Sequence, residues 1–140
     1  MSAVIVSAEA IVSELLEHYR IDSPPVPVEL ILQTPARGMW NEVDLAYFRA
    51  PPEADDGPFA MRMALALLLA RMLCASSWGA QRGLNSGCND EALARALLMP
   101  HALLIGLPAI ALTPPRIHQM FQSPLQQARR RLIELDVLIP

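Results

Sequence analysis

The sequence predicts a mainly helical α+β fold with one small antiparallel sheet near residues 36 to 49. Three observations lead to it. Apolar residues recur at helical spacing over most of the chain. The period shortens to that of strands between Arg37 and Arg49. Segments rich in proline, glycine and acidic residues separate the two kinds of region. The chain has 140 residues, enough for one domain that hides roughly 70% of its unfolded surface without a disulfide or metal staple. Apolar residues make up 53% and charged residues 18% of it, which excludes a disordered segment. Aromatics are only 5%, so the core is built from Leu, Ala, Val, Ile and Met. The net charge of −3 argues against nucleic acid as the main partner.

Each element has its own signal. Ser7 is placed to cap a first helix whose apolar stripe is Ile11, Val12, Leu15, Leu16 and Tyr19. Pro24, Pro25 and Pro27 end it, and Val28 to Gln33 reads as a short second helix. Trp40, Val43, Leu45, Tyr47 and Phe48 suit short strands around a turn at Asn41-Glu42. The loop from Ala50 to Pro58 carries Asp55 and Asp56 as solvated charges. Phe59 to Ala75 is helical and apolar on all sides, the mark of a helix buried by several neighbours. Ser76 to Asn89 reads as a loop anchored by Trp78. Asn89 caps the next helix, with Asp90 and Glu91 in its first turn, and the helix resumes at His101 after Pro100. Arg116 to Phe121 and a helix ending near Leu135 close the chain, the latter opened by the capping box Ser123-Pro124-Leu125-Gln126.

The sequence offers little reactive chemistry. Cys74 and Cys88 stand in no metal-ligand spacing, and a cysteine such as Cys74 within an apolar helix is an inert thiol. Cys88, near Arg82, is the one candidate reactive thiol. The N-terminus lacks the pattern of a signal peptide. Met63 to Ala70 is too short for a membrane span, and Ala96 to Leu112 is interrupted by Pro100, His101 and Pro108. A cytoplasmic protein off the membrane is expected.

Four stretches carry a resemblance: `AEAIVSELLEHYRIDSPPVPVELI`, `RMALALLLARMLCA`, `ALARALLMP` and `IHQMFQSPLQQARRRLIELDVL`. Their order resembles the ImmA/IrrE metallopeptidase family, with Leu97-Leu98-Met99-Pro100 matching its Leu-Leu-Met-Pro segment and Arg131-Leu132 its Arg-Leu pair. The resemblance implies a degenerate zincin-like core over residues 1–112 and a helix-turn-helix-like segment over 113–140 packed on it. In such a core an H-E-x-x-H helix presents two imidazoles to one zinc, and its Glu activates the bound water. Here the matching positions hold Leu67, Leu68 and Arg71, and the third ligand falls near Gly87. Leucine has no donor atom, and arginine is a permanent cation. No catalytic residue, metal or cofactor is therefore expected.

Asp90, Glu91 and His101 are the polar residues left for such a cleft, with Arg71 expected to pair with Asp90 or Glu91 or else to reach solvent at the old cleft. Members of the resembled family cut helix-turn-helix repressors. The implied function is that of an inactive pseudopeptidase that binds or regulates another protein, toward a repressor or mobile-element partner. A DNA-binding regulator using Gln126, Arg129 and Arg130 is the alternative, with weak binding expected from an acidic chain. A subunit of a larger assembly, including a homo-oligomer, is the third reading.

Overall fold

The computed structural model describes residues 3–41, 43–45, 48, 57, 59–84 and 89–139. Helix α1 (Ala3–His18) leads through the proline link, whose Pro24–Pro25 bond is cis, to α2 (Val28–Gln33). Then come α3 (Ala60–Ala75), α4 (Ser77–Ala80), α5 (Asp90–Leu98) and α6 (His101–Leu104). A 3₁₀ turn at Ala109–Ala111 precedes α7 (Pro114–Phe121) and α8 (Leu125–Glu134). Among the described residues no helix is long and apolar enough to cross a membrane.

Helix α5 is the hub. It packs on α3, α1 and α8, so six successive residues from Leu93 to Leu98 are buried. Asn89 caps it as expected, its Oδ1 accepting from the Ala92 amide at 3.0 Å. Helix α3 buries Met63, Leu65, Ala66, Leu69, Ala70, Leu73 and Cys74 against α5, α2 and α4. These two helices form the floor on which the other elements are laid, and α7 packs on α8 at one end.

The expected α+β class is corrected to all-helical, because the described residues contain no strand. Between residues 36 and 41 the backbone turns instead of extending. The Met39 amide donates to the Ala36 carbonyl at 3.1 Å, and Gly38 sits at φ +90°, where a side chain is strained. The Gly38 carbonyl is taken by the Trp78 amide and the Ser77 hydroxyl, both at 2.8 Å. Trp40 donates its indole N–H to the Leu32 carbonyl at 2.9 Å. The Gly38 carbonyl is thus satisfied by α4, and the Trp40 side chain is tied to α2. Met39, Trp40, Leu45 and Phe48 cover the core as irregular caps. The expected turn residue Glu42, the strand residue Tyr47, and Asp55 and Asp56 lie outside the described residues.

Three local expectations are also corrected. Helix α1 runs back to Ala3, past the expected cap at Ser7, since no Gly or Pro interrupts the preceding residues. The segment read as a loop contains α4, capped by Ser76, whose Oγ accepts from the Gly79 amide at 3.0 Å. Ser123 does not cap α8: its hydroxyl is buried with no hydrogen-bond partner, and Pro124 occupies the cap position. The α7–α8 corner is held instead by Arg62. Its guanidinium donates to the carbonyls of Val26 at 2.8 Å and Gln122 at 3.1 Å, Gln122 being left-handed at φ +54°.

Candidate functional site

The positions that the resemblance matches to the zinc helix, Leu67, Leu68 and Arg71, share one face of α3, which reaches the start of α5 through Arg71. Leu67 and Leu68 are half-buried and pack on the edge of the core, joined by Met72. Arg71 projects to solvent. Its Nε lies 3.4 Å from Asp90 Oδ2, at side-chain exposures of 64% and 36%. The expected pair therefore forms, and it forms in water: α5 starts at the rim of the molecule, so its first turn remains solvated. Exposed pairs of this kind contribute little. A double-mutant cycle of Arg71→Ala and Asp90→Asn, read by urea denaturation, is expected to return a coupling below about 0.5 kcal/mol. A coupling of several kcal/mol would mean that the pair is desolvated in solution.

The other residues singled out from sequence, and the remaining histidines, disperse. Glu91 reaches across one turn of α5 to Arg95, at 3.9 Å. Gly87 and Cys88 lie outside the described residues. Cys74 is disulfide-bonded, which corrects the inert buried thiol expected there. His101 opens α6, and its backbone amide donates to Glu9 Oε2 at 3.2 Å. His118 bonds through Nδ1 to the Ser123 carbonyl at 2.5 Å and stands edge-on to the Phe59 ring. His18 is exposed at the end of α1 against Tyr19. Among the described residues, no three His, Cys, Asp or Glu side chains converge as metal ligands. Zinc does not fit Leu67, Leu68 and Arg71, which offer it no donor atom.

Gln126, Arg129 and Arg130 are exposed on the outer face of α8, whereas the neighbouring Arg131 is buried. Its Nε donates to the Met99 carbonyl at 2.9 Å, and its Nη2 forms a charge-assisted bond to Glu9 Oε1. One carboxylate thus bridges α8 and the start of α6, and one guanidinium bridges α1 and the end of α5. Arg95 does the same between α5 and α8. It grips Glu134 through Nε at 2.7 Å and Nη2 at 3.2 Å, and donates to Gln127 at 3.2 Å. The buried role of Arg131 was visible in its spacing: it stands three residues after Ala128 and four before Leu135, on the apolar stripe of α8.

A polar cleft of about 250 Å³ that the sequence did not announce lies between α1, α4 and the 36–39 turn. Arg82 organises it, gripping Glu14 with Nε and Nη2 contacts of 2.7–2.9 Å and lying 3.9 Å over the Trp78 ring. The hydrogen bonds from Arg82 hold the Glu14 carboxyl below its ordinary range. Arg37 and His18 complete the rim.

No protein-family model matches the chain, and no curated protein or solved structure matches it either.

Proposed function

We propose that the chain is a non-catalytic protein-binding or regulatory module of ImmA/IrrE-like outline, a pseudopeptidase directed at a repressor or mobile-element partner. The observation that carries the reading is the outer face of α3. Leu67, Leu68 and Met72 remain partly accessible there, beside the solvated Arg71–Asp90 pair. This face supplies neither a metal donor nor a general base, and it offers apolar area rimmed by charge, the composition of a protein contact. A second support is the direct bond between Arg131 and Met99, residues of two separate segments on which the resemblance rests. The reading takes the cytoplasm as the compartment. A resting disulfide is uncommon there, so the bonded Cys74 weighs against that compartment. The DNA-binding alternative keeps only Arg129 and Arg130 as free cations of the arginine run, because Arg131 is committed to Glu9.

Isothermal titration against purified helix-turn-helix repressors, the class that members of the resembled family cut, tests the proposal. Saturable binding without cleavage is expected, weakened about tenfold or more when Leu68→Asp places a charge in the apolar contact. Absence of binding, cleavage of the repressor, or a stoichiometric zinc ion in protein purified without chelator would overturn it.

A further inference from the structure

The polar cleft between α1, α4 and the 36–39 turn plays no part in the α3-face reading. Each pair of its three walls is tied directly. Arg82 holds α4 to α1 through Glu14, with contacts of 2.7–2.9 Å. The Gly38 carbonyl holds the turn to α4, accepting from the Trp78 amide and the Ser77 hydroxyl, both at 2.8 Å. The Tyr19 hydroxyl, at the end of α1, donates to the Thr34 carbonyl at 2.7 Å, just ahead of the turn. The turn itself is closed by the Ala36 amide, which donates to Met39 Sδ at 3.2 Å. A cleft braced on three sides is preformed, as small-molecule sites usually are.

Burial sorts the lining into a floor and a rim. Leu15 and Trp78 are buried and Met39 half-buried, while Glu14, His18, Arg37 and Gln81 stand exposed around them. This floor suits a flat ring, because an indole and a thioether both favour aromatic neighbours. The space of about 250 Å³ sets the size. Scaled from a cavity of about 150 Å³ that takes a six-carbon ring, it takes about ten non-hydrogen atoms.

Charge selects the other end of the ligand. Glu14 is the one acid of the lining, and Arg82 cancels it. Arg82 is also fully engaged as a donor, since its Nη1 donates to the Trp78 carbonyl at 3.0 Å. The other ionisable groups of the lining are His18 and Arg37. Among the described residues Arg37 has no ion pair and no hydrogen-bond partner, so a permanent positive charge and an open guanidinium fork remain at the rim. A carboxylate takes such a fork bidentately and matches its single charge. A phosphate monoester would leave its second charge uncompensated.

We infer that this cleft binds a small aromatic carboxylate, its carboxylate paired with Arg37 and its ring laid on Leu15, Met39 and Trp78. Phenylacetate, which has the required size, is the probe, titrated into the isotope-labelled full chain and followed by NMR. Saturable binding is expected, with a dissociation constant of about 0.1–5 mM, the range for a ligand of about ten atoms. The largest shifts fall on the Trp78 indole and on the turn residues Arg37 to Met39. Phenylacetamide, which keeps the shape without the charge, binds about fivefold more weakly. Arg37→Ala weakens phenylacetate by the same factor of about five and leaves phenylacetamide unchanged. Arg37 is exposed, so this substitution leaves the fold intact. Acetate, which has the charge but no ring, does not saturate in the same range. Failure of phenylacetate to saturate overturns the inference, as do shifts centred away from the cleft. So does an Arg37→Ala variant that binds phenylacetate unchanged or loses acid and amide equally, and so does acetate binding as tightly as phenylacetate. All of these outcomes leave the α3-face reading untouched, because its test uses a protein ligand and a variant at Leu68.

Discussion

Arg131→Met is expected to lower stability by about 3–5 kcal/mol, the range for removing one partner of a buried ion pair. For a chain of this length that is a fall of roughly 10–15 °C in melting temperature. Arg131 is 2% exposed and its partner Glu9 14% at the side chain. Methionine fills much of the arginine's volume, so the loss is electrostatic rather than a cavity. It leaves Glu9 with the His101 amide alone and removes the Met99 carbonyl's donor. The companion variant is Arg131→Met with Glu9→Leu, which removes both charges. Most of the loss is expected to return, because two apolar residues replace the pair without stranding either charge. Recovery falls short by about 1 kcal/mol, since the His101 amide then has no acceptor. Urea denaturation of the wild type, both single variants and the double variant checks this. Equal losses in Arg131→Met and the double variant would show that the guanidinium acts through packing alone.

Residue pattern alone revealed the helices whose burial is one-sided or complete. The predominantly apolar α3 and the Asn89-capped α5 fall close to their expected bounds because spacing and caps are local properties. The segment after Pro35 misled for a physical reason. Trp40, Leu45 and Phe48 have strand-like spacing, but the same residues serve equally as caps over a core. What decides between the two is where the Gly38 carbonyl finds its donor, and that donor is forty residues away on α4. Ser123 shows the same limit at one residue: the capping-box letters are present, yet the hydroxyl faces inward and Pro124 takes the cap position. At the candidate site, Leu67, Leu68 and Arg71 were legible as residues that cannot hold zinc, and the Arg71–Asp90 pair was foreseen. How far the pair lies in solvent is not legible from the residues, because solvent access depends on where the first turn of α5 ends up. The cleft built by Glu14, Trp78 and Arg82 joins α1 to α4, and no spacing within either element foretells it.

Gly79→Ala is expected to be the other severe substitution, at about 3 kcal/mol or more. A Cβ at this position would lie 2.0 Å from the Leu73 carbonyl oxygen and 3.0 Å from its carbon. The obstacle is backbone, and it is pinned. That oxygen accepts the Ser76 amide at 3.2 Å and the Ser76 hydroxyl at 2.8 Å, closing the end of α3. Gly79 is equally fixed, its amide donating to Ser76 Oγ at 3.0 Å and its carbonyl accepting from Leu84 at 2.9 Å. Relief therefore requires α4 to move off α3 as a unit. That displacement withdraws buried Trp78, breaks the hydrogen bond from its amide to the Gly38 carbonyl and pulls Arg82 from Glu14. The helix-propensity gain of alanine over glycine, about 1 kcal/mol, does not offset it. Gly106→Ala is the matched control: a Cβ there meets nothing within 4 Å, so a change within about 0.5 kcal/mol is expected. Thermal melts report the stability difference, and Trp fluorescence reports whether Trp78 has left its buried position. Similar melting temperatures for the two alanine variants would mean that α4 approaches α3 less closely in solution. A large loss at Gly79 alone, with red-shifted emission, would establish this glycine as the contact that lets α4 close the polar cleft.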